Sequence, residues 1–156
     1  MASSLVLLLR KRRLRLKAEW KRRLREEPAT TALANPDILV YLMDETLNQL
    51  ETLLSTRAQA HWVDVHHSHL TQVRTLCSCG LNPLLTYFHT GGAALKAELL
   101  ESQEMPELSE REKEILNQAW YFMAQREVES LCGPCRRVCA PALNFSCPTK
   151  IHGCGL

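Results

Sequence analysis

The sequence predicts an all-α protein, a small irregular helical bundle with a Cys-rich C-terminal knot. Three observations carry that expectation. Apolar residues recur at spacings of three, four and seven along most of the chain, while strand-like alternation is nearly absent. Two Asn-Pro pairs and one Ser-x-x-Glu box stand where helices would start. Five of the seven cysteines lie from Cys132 onward, among Gly and Pro residues that favour irregular backbone. The 156 residues suffice for one domain. With 46% hydrophobic and 23% charged residues the chain can bury a core, which excludes wholesale disorder. Apolar runs such as Leu5 to Leu9 fall far short of the roughly 20 residues of a membrane span. Aromatic residues, at 6%, are too sparse for a base-stacking platform.

Charge divides the chain. Residues 1–27 hold ten Lys/Arg against three Glu, a net +7, whereas the other 129 hold nine basic and fourteen acidic groups, a net −5. This segment reads as a basic amphipathic helix with Leu5, Leu9, Leu16, Trp20 and Leu24 in one apolar stripe. Its cations are Arg10, Lys11, Arg12, Arg13, Arg15, Lys17, Lys21, Arg22, Arg23 and Arg25. They are the candidate contacts to an anionic surface, whether an acidic protein partner, a membrane or nucleic acid. Leu5 to Leu9 and Trp20 tilt the reading toward a membrane surface, because phosphate binding needs no apolar face. A secretory signal has its charges before its apolar core, and the order here is the reverse. An Arg-rich mitochondrial presequence fits better, but Glu19, Glu26 and Glu27 count against it.

Residues 28–35 read as a linker, starting at Pro28. Asn35-Pro36-Asp37 then supplies a cap, a proline at the first helical position and a carboxylate at the positive end of the dipole. The helix that follows aligns Leu39, Leu42, Met43, Leu47, Leu50, Leu53 and Leu54 against a polar side with Asp44, Asn48, Glu51 and Thr52. From 56 to 76 the pattern weakens, and a short strand or extended arm competes with helix. Cys77-Ser78-Cys79-Gly80 reads as a turn. Asn82-Pro83 repeats the earlier start, Gly91-Gly92 is expected to interrupt the segment, and residues 93–100 resume it. Ser109 with Glu112 forms a capping box for a long helix through Trp120 and Leu131, which Cys132-Gly133-Pro134-Cys135 is expected to end. The resulting division is a helical domain at 36–135 and an irregular Cys-rich tail at 136–156.

Sulfur carries the clearest chemistry. An odd cysteine count and no secretory signal point to a reducing, cytoplasmic setting, at most peripheral to a membrane, where close cysteine pairs serve metals or redox reactions. Cys77-x-Cys79 and Cys132-x-x-Cys135 together offer four thiolates, the tetrahedral set of a structural zinc. His69 and Cys139 are further candidate ligands. Cys-Gly-Pro-Cys also matches the redox tetrapeptide of thioredoxin-like enzymes. There the first thiolate is stabilised by the N-terminus of the following helix, and here no such helix or βαβ unit is expected. Cys132, Cys135 and Cys139, with Cys147 or Cys77, could instead hold an iron–sulfur cluster. Asp64 with His67 resembles half of a di-iron site, but the second half is missing. No phosphate loop, His-Glu-x-x-His or Gly-x-Ser-x-Gly is present. The chain therefore reads as a non-catalytic, zinc-stabilised interaction or regulatory module docking through its basic N-terminal helix. A thiol-redox or iron–sulfur protein, and a nucleic-acid-binding regulator, are the alternatives.

Overall fold

Each helix begins where side-chain chemistry can satisfy its first free amides. Asn35 Oδ1 accepts the amide of Asp37 at 2.9 Å, and Asn82 Oδ1 accepts that of Leu84 at 3.0 Å, with a proline following in both cases. Ser109 and Glu112 close the expected box: the Ser109 amide donates to Glu112 at 2.9 Å, and the Glu112 amide donates to Ser109 Oγ at 3.3 Å. The computed structural model describes residues 4–29, 34–56, 73, 76, 82–101 and 108–143, and only the backbone over 132–143. Among these residues all regular structure is helical, with no strand. Helix α1 spans Ser4–Glu26. A short α2 (Pro36–Leu39) passes through a 3-10 turn (Val40–Leu42) into α3 (Met43–Ser55). Helix α4 (Pro83–Leu95) ends in a π-helical turn (Lys96–Leu100), and α5 spans Glu110–Leu143.

The core lies where α1, α3, α4 and α5 converge. Helix α1 contributes Leu5, Val6, Leu8, Leu9, Leu16, Trp20 and Leu24, all buried, so the basic helix packs inside the bundle. Helices α2 and α3 add Leu39, Met43, Leu47, Leu50 and Leu54, and α5 adds Leu116, Ala119, Trp120, Met123, Ala124 and Val128. Leu42, expected on this face, is 43% exposed, because it sits in the 3-10 turn between the two helices. Helix α4 is apolar on nearly every side, as a central helix must be. Asn82 ties its start to α5 through a hydrogen bond from Nδ2 to the Val128 carbonyl (2.9 Å).

Two expected helix ends are absent. Gly91-Gly92 lie within α4 without breaking it. The physical reason is a close approach: a Cβ at Gly91 would stand 2.6 Å from both the Trp20 and Trp120 rings. The two indoles donate to successive α4 carbonyls, Trp20 to Tyr87 at 3.0 Å and Trp120 to Phe88 at 3.1 Å. Trp20, Tyr87, Phe88 and Trp120 form a closed ring of tilted and edge-on contacts, with centroids 4.5–5.4 Å apart. Helix α5, likewise, runs through Cys132-Gly133-Pro134-Cys135 to Leu143, so 136–143 are helical and the irregular tail does not begin at 136. Pro134 and Pro141 remove one amide donor each, which a helix already fixed by its packed N-terminal half tolerates. The Cys-rich knot expected beyond this helix, the turn at 77–80 and the segment expected at 57–72 lie outside the described residues.

Gly91→Ala should raise helix propensity by about 1 kcal/mol. The added methyl meets two buried rings that cannot both retreat, and overpacking of this kind costs about 1–3 kcal/mol or more. The expected outcome is a lower melting temperature in a thermal denaturation followed by circular dichroism. A rise in melting temperature would show that the rings have room.

Candidate interaction surface

Of the ten cations of α1, Arg10, Arg12, Arg13, Lys17, Arg22, Arg23 and Arg25 meet carboxylates of the same chain. Residues 10, 13 and 17 follow one another at spacings of three and four, which puts them on one side of the helix. That side faces α3, where Asp44, Asn48 and Glu51 are spaced the same way. Arg10 donates to Glu51 at 2.8 Å. Arg13 bridges Glu51 and Asp44 at 3.0 Å each, and also donates to the Asp44 carbonyl and to Asn48, both at 2.9 Å. Lys17 reaches Asp44 at 2.5 Å. Arg12 is buried and lies 4.0 Å from Glu98 of the π turn. Further along, Arg22 and Arg23 hold Glu19 at 2.8 and 2.7 Å, Arg22 also holds Glu26 at 2.5 Å, and Arg25 meets Asp37 at 3.0 Å.

These contacts set the charge states. The hydrogen bond from Arg22, joined by Arg23, draws the Glu19 carboxyl down to about 2. The Lys17 bond, then that of Arg13, holds Asp44 below the ordinary aspartate value. Glu112 is lowered by hydrogen bonds from Ser4 and Ser109, which join the start of α1 to the start of α5. Burial pushes the Tyr87 phenol up. Its hydroxyl lies 2.8 Å from Thr46 Oγ1, and Thr46 donates its one proton to the Leu42 carbonyl at 3.0 Å, so Tyr87 is the donor of the pair.

The outward face of α1 carries Leu7, Lys11, Leu14, Arg15, Ala18 and Arg22, all exposed. Leu7 is 58% and Leu14 83% exposed. Lys21 is half-buried beside this face. The apolar stripe that favours a membrane surface is a different one, and it is fully committed to the core. Leu7 and Leu14 fall between the positions of that stripe, so its periodicity does not reveal them. The acidic match on α3 is present in the sequence as Asp44, Asn48 and Glu51, but a polar helix face does not announce its partner.

The proposed metal ligands are not brought into view. Cys77, Cys79 and His69 lie outside the described residues, as do the side chains of Cys132, Cys135 and Cys139. Among the described residues no group of three or more His, Cys, Asp or Glu is placed to hold a metal ion. Nor, among them, is any helix long and apolar enough to cross a membrane. No protein-family model, curated protein or solved structure matches the chain.

The lowered Asp44 value fixes the sign of a pH effect. A carboxyl whose folded value lies below its unfolded value stabilises the fold above the unfolded value, and that contribution is lost as pH falls through the folded one. Stability should therefore hold from pH 7 to about 5 and decline below about 4. Asp44→Asn should cost no more than about 1 kcal/mol at pH 7, the pair being exposed. Its deficit should shrink as pH falls through the acid range in urea denaturation series. A deficit independent of pH would show that Asp44 acts by packing.

Proposed function

We propose that the protein is a non-catalytic helical interaction module that docks an anionic surface through the outward face of α1. The observation that carries this is the division of one helix into two faces. The inner face is sealed in the core and pinned by Asp44 and Glu51, while the outer face leaves Leu7 and Leu14 in water beside Lys11, Arg15 and Arg22. Holding such a helix rigid lowers the ordering cost of binding through it. The depressions along α3 and α5, lined by Glu45, Gln49, Leu53 and Arg126, are shallow and lack the enclosing walls of a small-molecule site. A nucleic-acid regulator is less well supported, since phosphate binding makes no use of the exposed Leu7 and Leu14.

Polyglutamate serves as a generic anionic probe. Adding it to the full chain should slow acylation of Lys11 by about fivefold or more at low salt, and the protection should fade as salt rises. Lys96 and Lys113, on other elements, should react unchanged. Equal protection of all three lysines would remove the assignment to α1.

A zinc tie is the second part of the proposal. In its support, Cys132, Cys135 and Cys139 occupy positions i, i+3 and i+7 of α5, the spacing of one helix face. Cys77 and Cys79, or His69, would complete a tetrahedral set. The redox reading gains nothing from the longer helix, since the tetrapeptide stands far from the helix N-terminus that would stabilise a thiolate. Protein purified without chelator should be colourless and carry about one zinc per chain, with the content falling in the double variant Cys132→Ser/Cys135→Ser. Metal-free protein would remove the zinc, and a brown solution would move the site to iron–sulfur chemistry.

A further inference from the structure

The continuity of α5 limits what its cysteines can do together. Cys132, Cys135 and Cys139 stand three and four residues apart on a helix that runs unbroken to Leu143. Both spacings let a helix bring two ligands to one ion, i and i+3 in Glu-x-x-His pairs and i and i+4 in His-Glu-x-x-His pairs. The outer two, Cys132 and Cys139, are two turns apart, about 10.5 Å along the axis. Two cysteine side chains and two zinc–sulfur bonds of about 2.3 Å do not span that distance, even fully extended. A single ion therefore takes two of the three positions, and Cys135 belongs to either choice. We propose that Cys135 is the pivot of two overlapping zinc half-sites on α5, Cys132 with Cys135 and Cys135 with Cys139, filled one at a time. The inference rests on the zinc reading of this protein and names how the helix serves it.

The bundle ranks the two pairs. Asn82, which caps the start of α4, donates from Nδ2 to the Val128 carbonyl at 2.9 Å, so the chain entering α4 meets α5 at that level. Cys132 follows Val128 by one turn, about 6 Å, and Cys139 follows it by about three turns. The same entering chain carries Cys79 three residues before Asn82, a stretch of at most about 11 Å. Cys132 with Cys135 is thus the pair nearer the thiols that complete a tetrahedral set, and it takes the ion in the intact chain. Cys135 with Cys139 lies one turn further out and takes the ion when Cys132 is lost, at reduced affinity. A polynuclear iron–sulfur cluster is wider than one ion and would engage all three positions at once. The number of α5 cysteines on which the metal depends therefore separates the two chemistries.

The test measures zinc content and affinity in the full chain, with a chromogenic zinc chelator as competitor. Cys135→Ser should lose the zinc or weaken it by about a hundredfold or more. Cys132→Ser should keep it at an affinity lower by about tenfold, and Cys139→Ser should stay within about twofold of the parent. The double variant Cys132→Ser/Cys139→Ser should match Cys135→Ser, because each breaks both pairs. Metal-free forms should melt within a few degrees of one another, since the buried residues of α5 in the described core end at Val128. The corresponding alanine variants should rank alike. Equal loss in Cys132→Ser and Cys135→Ser, with Cys139→Ser unaffected, would overturn the pivot in favour of one fixed pair. Equal loss in all three single variants would overturn it in favour of a cluster that needs every position. Zinc unaffected by Cys135→Ser would put the ion elsewhere and overturn it as well. A parent chain without zinc would remove the zinc tie itself, and the pivot with it, whereas the other outcomes arise with the parent loaded.

Discussion

The bundle depends on two indoles closing over one glycine. Trp20 and Trp120 come from opposite ends of the described chain and meet on α4, donating to adjacent carbonyls, with Gly91 beneath both rings. Each indole has one N–H that must find an acceptor when buried, and each α4 carbonyl has a lone pair left after its helical bond. The arrangement satisfies both needs without breaking the helix. It also explains why Gly91 stands inside a helix at a propensity cost of about 1 kcal/mol. A side chain at Gly91 would hold the rings away from the carbonyls, and α1 and α5 could not both reach α4.

The charge asymmetry of the chain is resolved by the same packing. Once Trp20 fixes the rotation of α1, Arg10, Arg13 and Lys17 must point at α3, and Asp44 and Glu51 stand there to receive them. Such pairs add little stability each where they are exposed. Their larger effect is on register, because a helix rotated by one residue would carry these cations away from Asp44 and Glu51. What looks in sequence like a detached basic segment is in space half of a complementary interface.

Much of this is legible in the residues. The helix starts at Asn35, Asn82 and Ser109 follow from side-chain oxygens placed two or three residues before unsatisfied amides, which is local chemistry that a sequence displays. The buried face of α3 follows from periodicity. The continuity of α4 and α5 is not legible. A Gly-Gly pair and a Gly-Pro pair weaken a helix by local rules, and only packing partners distant in sequence, Trp20 and Trp120 for α4, outweigh that weakness. The fate of the cations is hidden for the same reason: a count of charges reports how many there are, and only the fold assigns their neighbours. The cysteine ligands, which proximity alone could join, are the part for which spacing in sequence says least.

The inner and outer faces of α1 are linked in a way that bears on function. An amphipathic helix that is free in solution can offer its apolar stripe to any hydrophobic surface and its cations to any acid, and so discriminates poorly. Here Leu9, Leu16, Trp20 and Leu24 are withdrawn into the core and several cations are engaged by α3. What remains outside is a narrow ridge with charges at defined offsets, presented by a helix whose backbone no longer has to be ordered. Withdrawal of the stronger sticky face leaves geometry to decide what can bind, and rigidity lowers the entropy that binding must overcome. The packing that holds the bundle together is thus also what would make its exposed helix selective.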